Sequence, residues 1–344
     1  MALGTNQMTI TTLANFIPEL WQDEVIATYK GQTVMRNLVK YVNHKGKKGD
    51  TLHFPNPARG SASVKAANAQ VTLVADTAGV VNISIDKHYE YSYMFEDIAD
   101  MQALNANRAF YTDAAGYGLA QRIDRELHKI GAVLQGGSIA GATNLYEAAV
   151  IGGDGSTAFS GASSGNGTAL TDVAIRKMIQ TLEDQNIRSS ELNLVVPPVV
   201  ANTLRGTSRF TEQAFVGNGD AIRTGRVMDL YGVQVYQSSE CPWIHCNSVT
   251  NTQSVTFTST APTGTAFADD FAKTVDWSTS TPTDTKYRVG LLFSKEAIIL
   301  AEQQAVRTQQ QYKQEYLGTL VTSDTVFGVG EARDYAGIAV VIPA

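Results

Sequence analysis

The sequence predicts an α+β fold in which an extended β-hairpin, one very long helix and a compact subdomain of alternating helices and strands follow one another. Apolar and polar residues alternate in "VVNISIDKHYEYSYMFED" (residues 80–97), which is typical of a half-buried strand. Apolar residues then recur every three or four positions over about residues 97–135, the spacing of an amphipathic helix. Between residues 170 and 239 the pattern alternates between helix and strand, which predicts the compact subdomain.

The chain is long enough to bury a substantial core, and its composition excludes several classes of protein. It has 344 residues, 43% of them hydrophobic, and a formal net charge of −6. Its start, "MALGTNQMTITTLANF", lacks the pattern of a signal peptide, and no apolar run is long enough to span a membrane. An acidic chain is poorly suited to binding DNA through its charge, because neutralising phosphates takes clustered Lys and Arg. We interpret the basic "NHKGKKG" (residues 43–49) as a solvated turn before a strand.

The first fifty residues predict an amphipathic arm. In "TTLANFIPELWQDEVIATYKG" a Thr cap and a proline near the first turn start a helix that stops at Gly31. Phe16, Leu20 and Trp21 give this helix an apolar stripe. Such a stripe docks either on its own domain or on a neighbouring molecule.

Residues 51–95 predict a long two-stranded β-finger. "DTLHFPNP" forms one arm of the finger, and the alternating stretch from residue 80 returns along it. The tip, "ARGSASVKAANAQ", is polar and made of small residues, with Arg59 and Lys65 in it. One face of the returning strand carries the apolar and aromatic residues Val81, Ile83, Ile85, Tyr89, Tyr91, Tyr93 and Phe95. A lone hairpin is marginal in water, so the finger needs a surface to lie on.

The long helix predicted over about residues 97–135 would measure roughly 55 Å, which exceeds an ordinary globular domain. Gly116 and Gly118 each cost about 1 kcal/mol in a helix interior, which predicts a bend or break near Tyr117. Gly136 and Gly137 provide a strong stop after the helix.

The second half of the chain predicts a compact subdomain and a return of strands. A helix capped by Thr171, a buried strand "LNLVVPP", a short helix "PVVANTLRG" and a strand "VMDLYGVQVYQSS" form the subdomain, with a polar loop over 206–226. A Thr/Ser-rich stretch, 248–285, predicts an extended β-rich insertion. We expect a helix over 294–300 and then alternating strands that end at Ile342.

The motifs that could carry chemistry are weak. "GASSG" (residues 161–165) matches the nucleophile elbow of hydrolases at Ser163, but its flanks are Gly/Ser-rich instead of a strand and a helix. Cys241 and Cys246 enclose His245, yet a structural zinc site needs four ligands and there is no second cysteine pair. The sequence therefore predicts neither a catalytic site nor a metal or cofactor site, and no enzyme activity.

The order of the elements resembles the major capsid (coat) protein of tailed bacteriophages, the Hong Kong 97 fold, over nearly the whole chain. "GDTLHFPNPARG" with "VNISIDKHYEYSYMFED" resembles the E-loop of that family, and "FEDIADMQALNANRAFYTDAAGYGLAQRIDRELHKIGAVLQGG" its spine helix. "SELNLVVPPVVANTLRG" and the spacing from Gly225 to Val235 resemble the axial (A) domain, and "LLFSKEAIILAEQQ" to "YAGIAVV" the peripheral (P) domain. None of these motifs is specific to the family by itself. The resemblance depends on the order in which they follow one another along the chain.

The resemblance implies a division of the chain. It implies an N-terminal arm at 1–50, an E-loop finger at 51–95, a peripheral domain at 96–170 and 294–344 that includes the spine helix, and an axial domain at 171–293 that includes the insertion.

The resemblance also implies a function. Members form hexamers and pentamers of an icosahedral head that encloses double-stranded DNA without sequence-specific binding, first as a procapsid that later expands. The implied partners are other copies of the chain, a scaffolding protein, a portal protein and a decoration or cement protein. The implied location is the virion, after assembly in the cytoplasm of a host bacterium. Because the chain begins directly with the arm, we expect the scaffolding protein to be separate.

The residues expected at subunit interfaces come from three regions. They are the arm stripe and the finger tip named above, and a loop near the local symmetry axis whose arginines could pair with acidic neighbours: Arg205, Arg209, Arg223 and Arg226. We find no arrangement for the Lys–Asn cross-link that some members of the family make.

Three alternatives stay open from the sequence. An encapsulin-type bacterial compartment shell shares the fold, but the insertion and the larger size favour a virus. A serine hydrolase would use Ser163, and a surface adhesin would use the Thr-rich residues 248–285.

Overall fold

The computed structural model describes about three fifths of the chain. The described residues are 33–46, 48–56, 62, 64–68, 70–71, 79–97, 107–132, 134, 149–159, 165–207, 229–247, 256–258 and 284–343. The predicted arm helix, residues 206–226 beyond Thr207 and most of the insertion lie outside it.

The described residues form four α-helices and fourteen strands. The helices are α1 Met35–Leu38, α2 Asn107–Gly131, α3 Asp172–Asp184 and α4 Pro198–Arg205. The strands are β1 Lys40–Asn43, β2 Thr51–Asn56, β3 Gly79–Ser84, β4 Lys87–Glu96, β5 Val150–Ile151, β6 Leu192–Val196, β7 Asp229–Leu230, β8 Val233–Gln237, β9 Trp243–Asn247, β10 Thr256–Thr258, β11 Asp284–Ser294, β12 Ile298–Lys313, β13 Gly318–Glu331 and β14 Gly337–Pro343. Short 3₁₀ turns lie at Ser189–Glu191 and Asp334–Ala336. No described helix is long and apolar enough to cross a membrane.

The largest described sheet has eight strands and is centred on β11. Along the sheet the order is β10-β9-β11-β6-β8-β7, and β14 pairs with β11 and with β5. Leu291 of β11 lies opposite Val195 of β6 on one side and Ala339 of β14 on the other, so the middle of β11 has both of its edges paired. All three of these residues are buried.

The second sheet has the order β1-β12-β13-β4 and contains a hairpin of two long strands, β12 and β13. The predicted helix over 294–300 is wrong, because β11 ends at Ser294 and β12 begins at Ile298. Every residue from Ala297 to Ala301 is buried, as in a strand covered on both faces. A short apolar run of this kind has no periodicity that separates a helix from a strand.

The long helix α2 ends a few residues earlier than predicted. It is described from Asn107, and its 25 residues span about 37 Å. It ends at Gly131 and not near residue 135, and it runs through Gly116 and Gly118 without a break. The predicted apolar stripe is confirmed, since Leu119, Ile123 and Leu127 are buried.

The alternating stretch over 80–97 is two strands and not one. β3 pairs with β2 in a two-stranded sheet, whereas β4 pairs with β13, so the predicted finger of 51–95 includes a strand of the four-stranded sheet. We define the finger as the β2–β3 hairpin, residues 51–84. The change of partner falls at Ile85, whose N–H donates to the carbonyl of Asp50 at 2.7 Å.

The compact subdomain agrees with the prediction in three of its elements. Thr171 caps α3 by accepting a hydrogen bond from Ala174 N–H at 3.2 Å, and β6 and α4 follow as expected. The last predicted strand is instead a hairpin, β7–β8, because Tyr231 and Gly232 adopt positive φ in a two-residue turn. Buried side chains from α3, β6 and α4, including Met178, Leu194 and Leu204, pack together there.

Candidate subunit interface

The finger projects as a bare two-stranded ribbon. Its pairing runs from Thr51 opposite Ser84 to Asn56 opposite Gly79. Its described tip residues are exposed, with Val64 fully exposed and Val71 70% exposed. A ribbon with apolar side chains in water and no third strand among the described residues is a poor structure for an isolated subunit.

Two glycines of β13 hold the root of the finger against the four-stranded sheet. Ile83 is 1% exposed, and it would touch a Cβ placed on Gly330 at about 3.0 Å. A Cβ on Gly328 would overlap the backbone of Ser84 and Ile85. Close packing of β3 on β13 therefore depends on the absence of side chains at these two positions.

One face of the four-stranded sheet packs on α2 through aromatic residues. The ring of Tyr89 lies 5.8 Å from that of Phe327, and its hydroxyl donates to Glu126 of α2 at 3.0 Å. Farther along β4, the rings of Tyr93 and Phe95 both contact Tyr111. The row of tyrosines in the sequence is thus a packing surface between sheet and helix.

The other face of this sheet is polar and centred on Asp324. Arg307 donates two hydrogen bonds to the Asp324 carboxylate, at 2.9 and 3.1 Å, and Gln304 donates a third at 2.7 Å. His88 lies 3.3 Å from the same carboxylate. Hydrogen bonding from Arg307 lowers the pKa of Asp324 to about 2, so Asp324 is ionised at neutral pH. The polar groups of this face are therefore joined in one network around Asp324.

The far end of the β12–β13 hairpin exposes a small apolar tip. Tyr316 and Leu317 are each 63% exposed, and Leu317 adopts a φ of 45°. Tyr312 is also exposed, and its hydroxyl donates to Asp97 at 2.7 Å. Large apolar side chains at a projecting turn are typical of a contact surface.

The segment that leads from residues 1–32 into the body is fixed by buried carboxylates. We call residues 33–38 the arm root. Asp124 of α2 accepts hydrogen bonds from the backbone N–H groups of Val34 and Met35. Glu302 of β12, whose side chain is 4% exposed, pairs with Arg36 at 3.0 Å and accepts a bond from Tyr41 at 2.8 Å.

The structure describes two of the nine residues predicted at interfaces. Lys65 is exposed in the finger tip, and Arg205 is exposed on α4, where it donates to Gln237 at 3.2 Å. The two lie on different elements and are not brought together in the subunit. The other seven lie outside the described residues: Phe16, Leu20, Trp21, Arg59, Arg209, Arg223 and Arg226. Their role at interfaces stays a prediction.

Sequence reasoning missed the glycines under the finger and the carboxylates at the arm root. Gly328 and Gly330 stand two apart in "VFGVGE", a spacing that places both on one face of a strand and could have indicated a close approach. The role of Asp124 had no local signal, because its partners are about ninety residues away.

The described residues contain no cluster that could hold a metal ion. Asp154, in "GGDGS", accepts hydrogen bonds from the backbone of Ser156 and Thr157 within its own turn. Burial raises the pKa of the Cys241 thiol to about 12, which makes it a packing residue and not a nucleophile. Ser163 lies outside the described residues.

No protein-family model matches the sequence. No curated protein matches it either.

The chain is, however, similar in structure to many solved phage proteins. It matches a structure from Mycobacterium phage Che8 with a TM-score of 0.65 and 19% identity, over 95% of this chain and 97% of that one. It matches the capsid of the cyanophage P-SCSP1u with a TM-score of 0.67 and 17% identity, over 99% and 96%. It matches the head structure of the Helicobacter pylori bacteriophage KHP40 with a TM-score of 0.67 and 13% identity, over 99% of both chains. The chain therefore has the fold of tailed-phage capsid subunits.

Proposed function

We propose that this chain is the major capsid protein of a tailed bacteriophage, and that it assembles into hexamers and pentamers of an icosahedral head around packaged double-stranded DNA. The observation that carries the proposal is the match to phage capsid structures from end to end, with 95–99% of the chain covered. A match that included only one domain would leave the projecting elements unexplained. Here the match extends over nearly the whole length of both chains.

The shape of the subunit supports assembly over an isolated role. A two-stranded ribbon is marginal in water, and the finger carries exposed valines at Val64, Val71 and Val80. Contact with a neighbouring copy gives such a ribbon a surface to bury. Stable assemblies bury on the order of thousands of Å² per interface, and a projecting hairpin and arm increase that area without enlarging the core.

The proposed contacts are those predicted from the sequence. The finger tip with Arg59 and Lys65 reaches an adjacent subunit, and the arm stripe of Phe16, Leu20 and Trp21 docks beside it. The arginines at 205, 209, 223 and 226 face acidic groups of neighbours near a local symmetry axis. The net charge of −6 suits a container wall that must not adhere to its DNA.

The remaining partners belong to the same proposal. A separate scaffolding protein guides a procapsid that expands as DNA enters, a portal protein occupies one vertex, and a decoration or cement protein can cover the outside. Assembly takes place in the cytoplasm of the host bacterium. The protein acts as a structural component and not as an enzyme.

The test is assembly of the purified protein, alone and with a candidate scaffolding protein, followed by light scattering and negative-stain microscopy. We expect closed shells tens of nanometres across. A variant in which a short Gly-Ser turn replaces residues 57–78 should remain folded by circular dichroism but fail to form shells. A matched control exchanges the exposed Val173 of α3 for Thr and should assemble normally. A compact monomer under all conditions would overturn the proposal.

A further inference from the structure

A buried acid and a buried histidine meet the arm root on one face of α2. Asp124 and His128 lie one helical turn apart, and both are 0% exposed. Oδ1 of Asp124 accepts hydrogen bonds from the N–H groups of Val34, at 3.1 Å, and Met35, at 2.7 Å. This carboxylate therefore binds the first turn of α1, through which residues 1–32 join the body of the subunit.

The other atoms of the pair are incompletely satisfied. Among the described residues, Oδ2 of Asp124 has no hydrogen-bond partner, and neither has Nδ1 of His128. Oδ2 lies 3.8 Å from Nε2 of His128, which is about 1 Å too far for a hydrogen bond. The same Nε2 lies 3.3 Å from the hydroxyl of Ser238. A single proton placed between Oδ2 and Nε2 would join the two side chains.

The charged groups around the pair do not supply a countercharge to Asp124. From the loop after β8, Glu240 faces the pair but is bound to Arg125 of α2 at 2.8 Å. Arg288 of β11 donates to the carbonyl oxygens of Ser239 and Cys241, both at 2.8 Å. On α1, the Arg36 side chain is turned towards Glu302.

The pKa values of Asp124 and His128 are both shifted by burial. Burial raises the pKa of Asp124 to about 6, and the charge of Glu240 adds to the shift, whereas hydrogen bonds from the arm root oppose it. Burial lowers the pKa of His128 to about 3, so His128 is neutral and can accept a hydrogen bond.

We propose that Asp124 and His128 form a proton-binding latch, which holds the arm root on α2 more tightly in mild acid than at neutral pH. With the latch closed, the two side chains approach by about 1 Å, and a protonated Asp124 donates from Oδ2 to Nε2 of His128 while Oδ1 keeps its two bonds to the arm root. With the latch open, Asp124 reaches water and its pKa returns to the ordinary value near 3.8. Because the closed state binds the proton more tightly, acid favours closure below about pH 6.

The consequence for assembly rests on the proposed function. Near neutral pH the latch is weakest, so release of the arm root from α2 costs less there than in acid and lets the arm dock on a neighbouring subunit. The latch itself is a property of the single chain and can be measured without shells.

The test is hydrogen–deuterium exchange of the full-length protein at pH 5 and pH 7.5, corrected for the intrinsic exchange rates. We expect the amides of residues 34–36 to be about tenfold more protected at pH 5. Asp124→Asn places an amide donor where the acid proton would be, so it should give equal protection at both pH values. Glu331→Gln is the matched control, because Glu331 also has a raised pKa but lies elsewhere, and it should keep the tenfold difference.

Equal protection of the wild-type protein at the two pH values would overturn the latch, and so would a pH difference that survives in Asp124→Asn. If Asp124→Asn does not fold, His128→Leu removes the acceptor and should reduce the pH difference several-fold; an unchanged difference would overturn the latch. Shell formation is scored separately by light scattering. A tenfold difference in amide protection without shell formation would support the latch and contradict the proposed function. Shell formation without any effect of pH on protection would support the proposed function and overturn the latch.

Discussion

Gly328 of β13 lies directly against the carbonyl group of Ser84, and this contact brings the root of the finger onto the four-stranded sheet. A side chain on Gly328 would overlap the backbone of β3, which cannot move aside as the end of a flexible side chain could. Ile83, the neighbour of Ser84, is buried over Gly330 on the same face of β13. The finger is therefore attached by backbone contact at its root and bare at its tip.

Exchanging Gly328 for Ala tests this attachment. The added methyl group must displace Ser84, so we expect a loss of about 1–3 kcal/mol in the free energy of unfolding, as for overpacked cores. Urea denaturation measures this loss, and shell yield measures the effect on the finger. Gly118→Ala is the control, because a Cβ there meets no atom within 4 Å and a helix gains up to about 1 kcal/mol from Ala. If Gly328→Ala and Gly118→Ala were equally stable, β3 would not be packed closely on Gly328.

The buried ion pair between Arg125 and Glu240 should be far more important for stability than an exposed pair. Nε of Arg125 lies 2.8 Å from Glu240, and both side chains are at most 10% exposed. Glu240→Gln removes a carboxylate that is bonded to a buried arginine, so we expect a loss of about 3–5 kcal/mol.

The matched change is Glu296→Gln, which breaks a pair with Arg333 in which both side chains are about half exposed. Exposed pairs contribute about 0–1 kcal/mol, so this variant should unfold close to the wild type. Similar losses for the two variants in urea denaturation would show that burial does not govern the strength of these pairs.

Glu331, at the end of β13, predicts a fall in stability as the pH rises to neutral. Burial, together with the charge of Asp334, raises its pKa to about 7. The folded state therefore binds a proton more tightly than the unfolded state, whose Glu pKa is near 4.5. The stability that this proton provides is complete below about pH 4.5 and is lost as the pH rises through about 7.

Glu331→Gln should remove this component of the pH dependence. We expect its melting temperature to exceed that of the wild type at pH 8 and to match it near pH 4.5. Asp334→Asn removes the second cause only, so its effect should have the same direction and a smaller size. A melting temperature of Glu331→Gln below the wild type at pH 8 would contradict the prediction.

The parts of the fold that the sequence predicted are those with local signals. The stripe of Leu119, Ile123 and Leu127 has helical spacing, and it is buried as expected. Thr171 precedes an amphipathic run and caps it. The alternation through Tyr89 and Tyr93 also grouped on one face the side chains that pack on the helix, although it did not indicate the helix as their partner.

The parts that were missed depend on contacts between distant segments. Nothing local marks Ile85 as the point where the chain leaves β2 and joins β13. The buried strand that begins at Ile298 has no periodicity that excludes a helix. Asp124 gains its role from a partner about ninety residues away. The candidate interface was thus predictable as projecting elements, but the residues that anchor those elements were not.

The turn of the β12–β13 hairpin joins two features that are unfavourable for an isolated subunit. Leu317 is 63% exposed, and its φ of 45° lies in the left-handed region, which costs a residue with a side chain about 1–2 kcal/mol. Its backbone is held there, because its carbonyl accepts a hydrogen bond from Asp97 N–H at 3.0 Å. A contact made only in the assembled shell would account for a leucine at this position.

Leu317→Gly should therefore separate stability from assembly. Glycine adopts a positive φ freely, so we expect the isolated subunit to be as stable as the wild type or more stable, by up to about 1 kcal/mol in urea denaturation. We also expect the protein concentration needed for shell formation to rise several-fold, as measured by light scattering. Val173→Thr removes an exposed apolar side chain from α3 and should change neither quantity. If Leu317→Gly assembles at the wild-type concentration, the exposed tip is not a subunit contact.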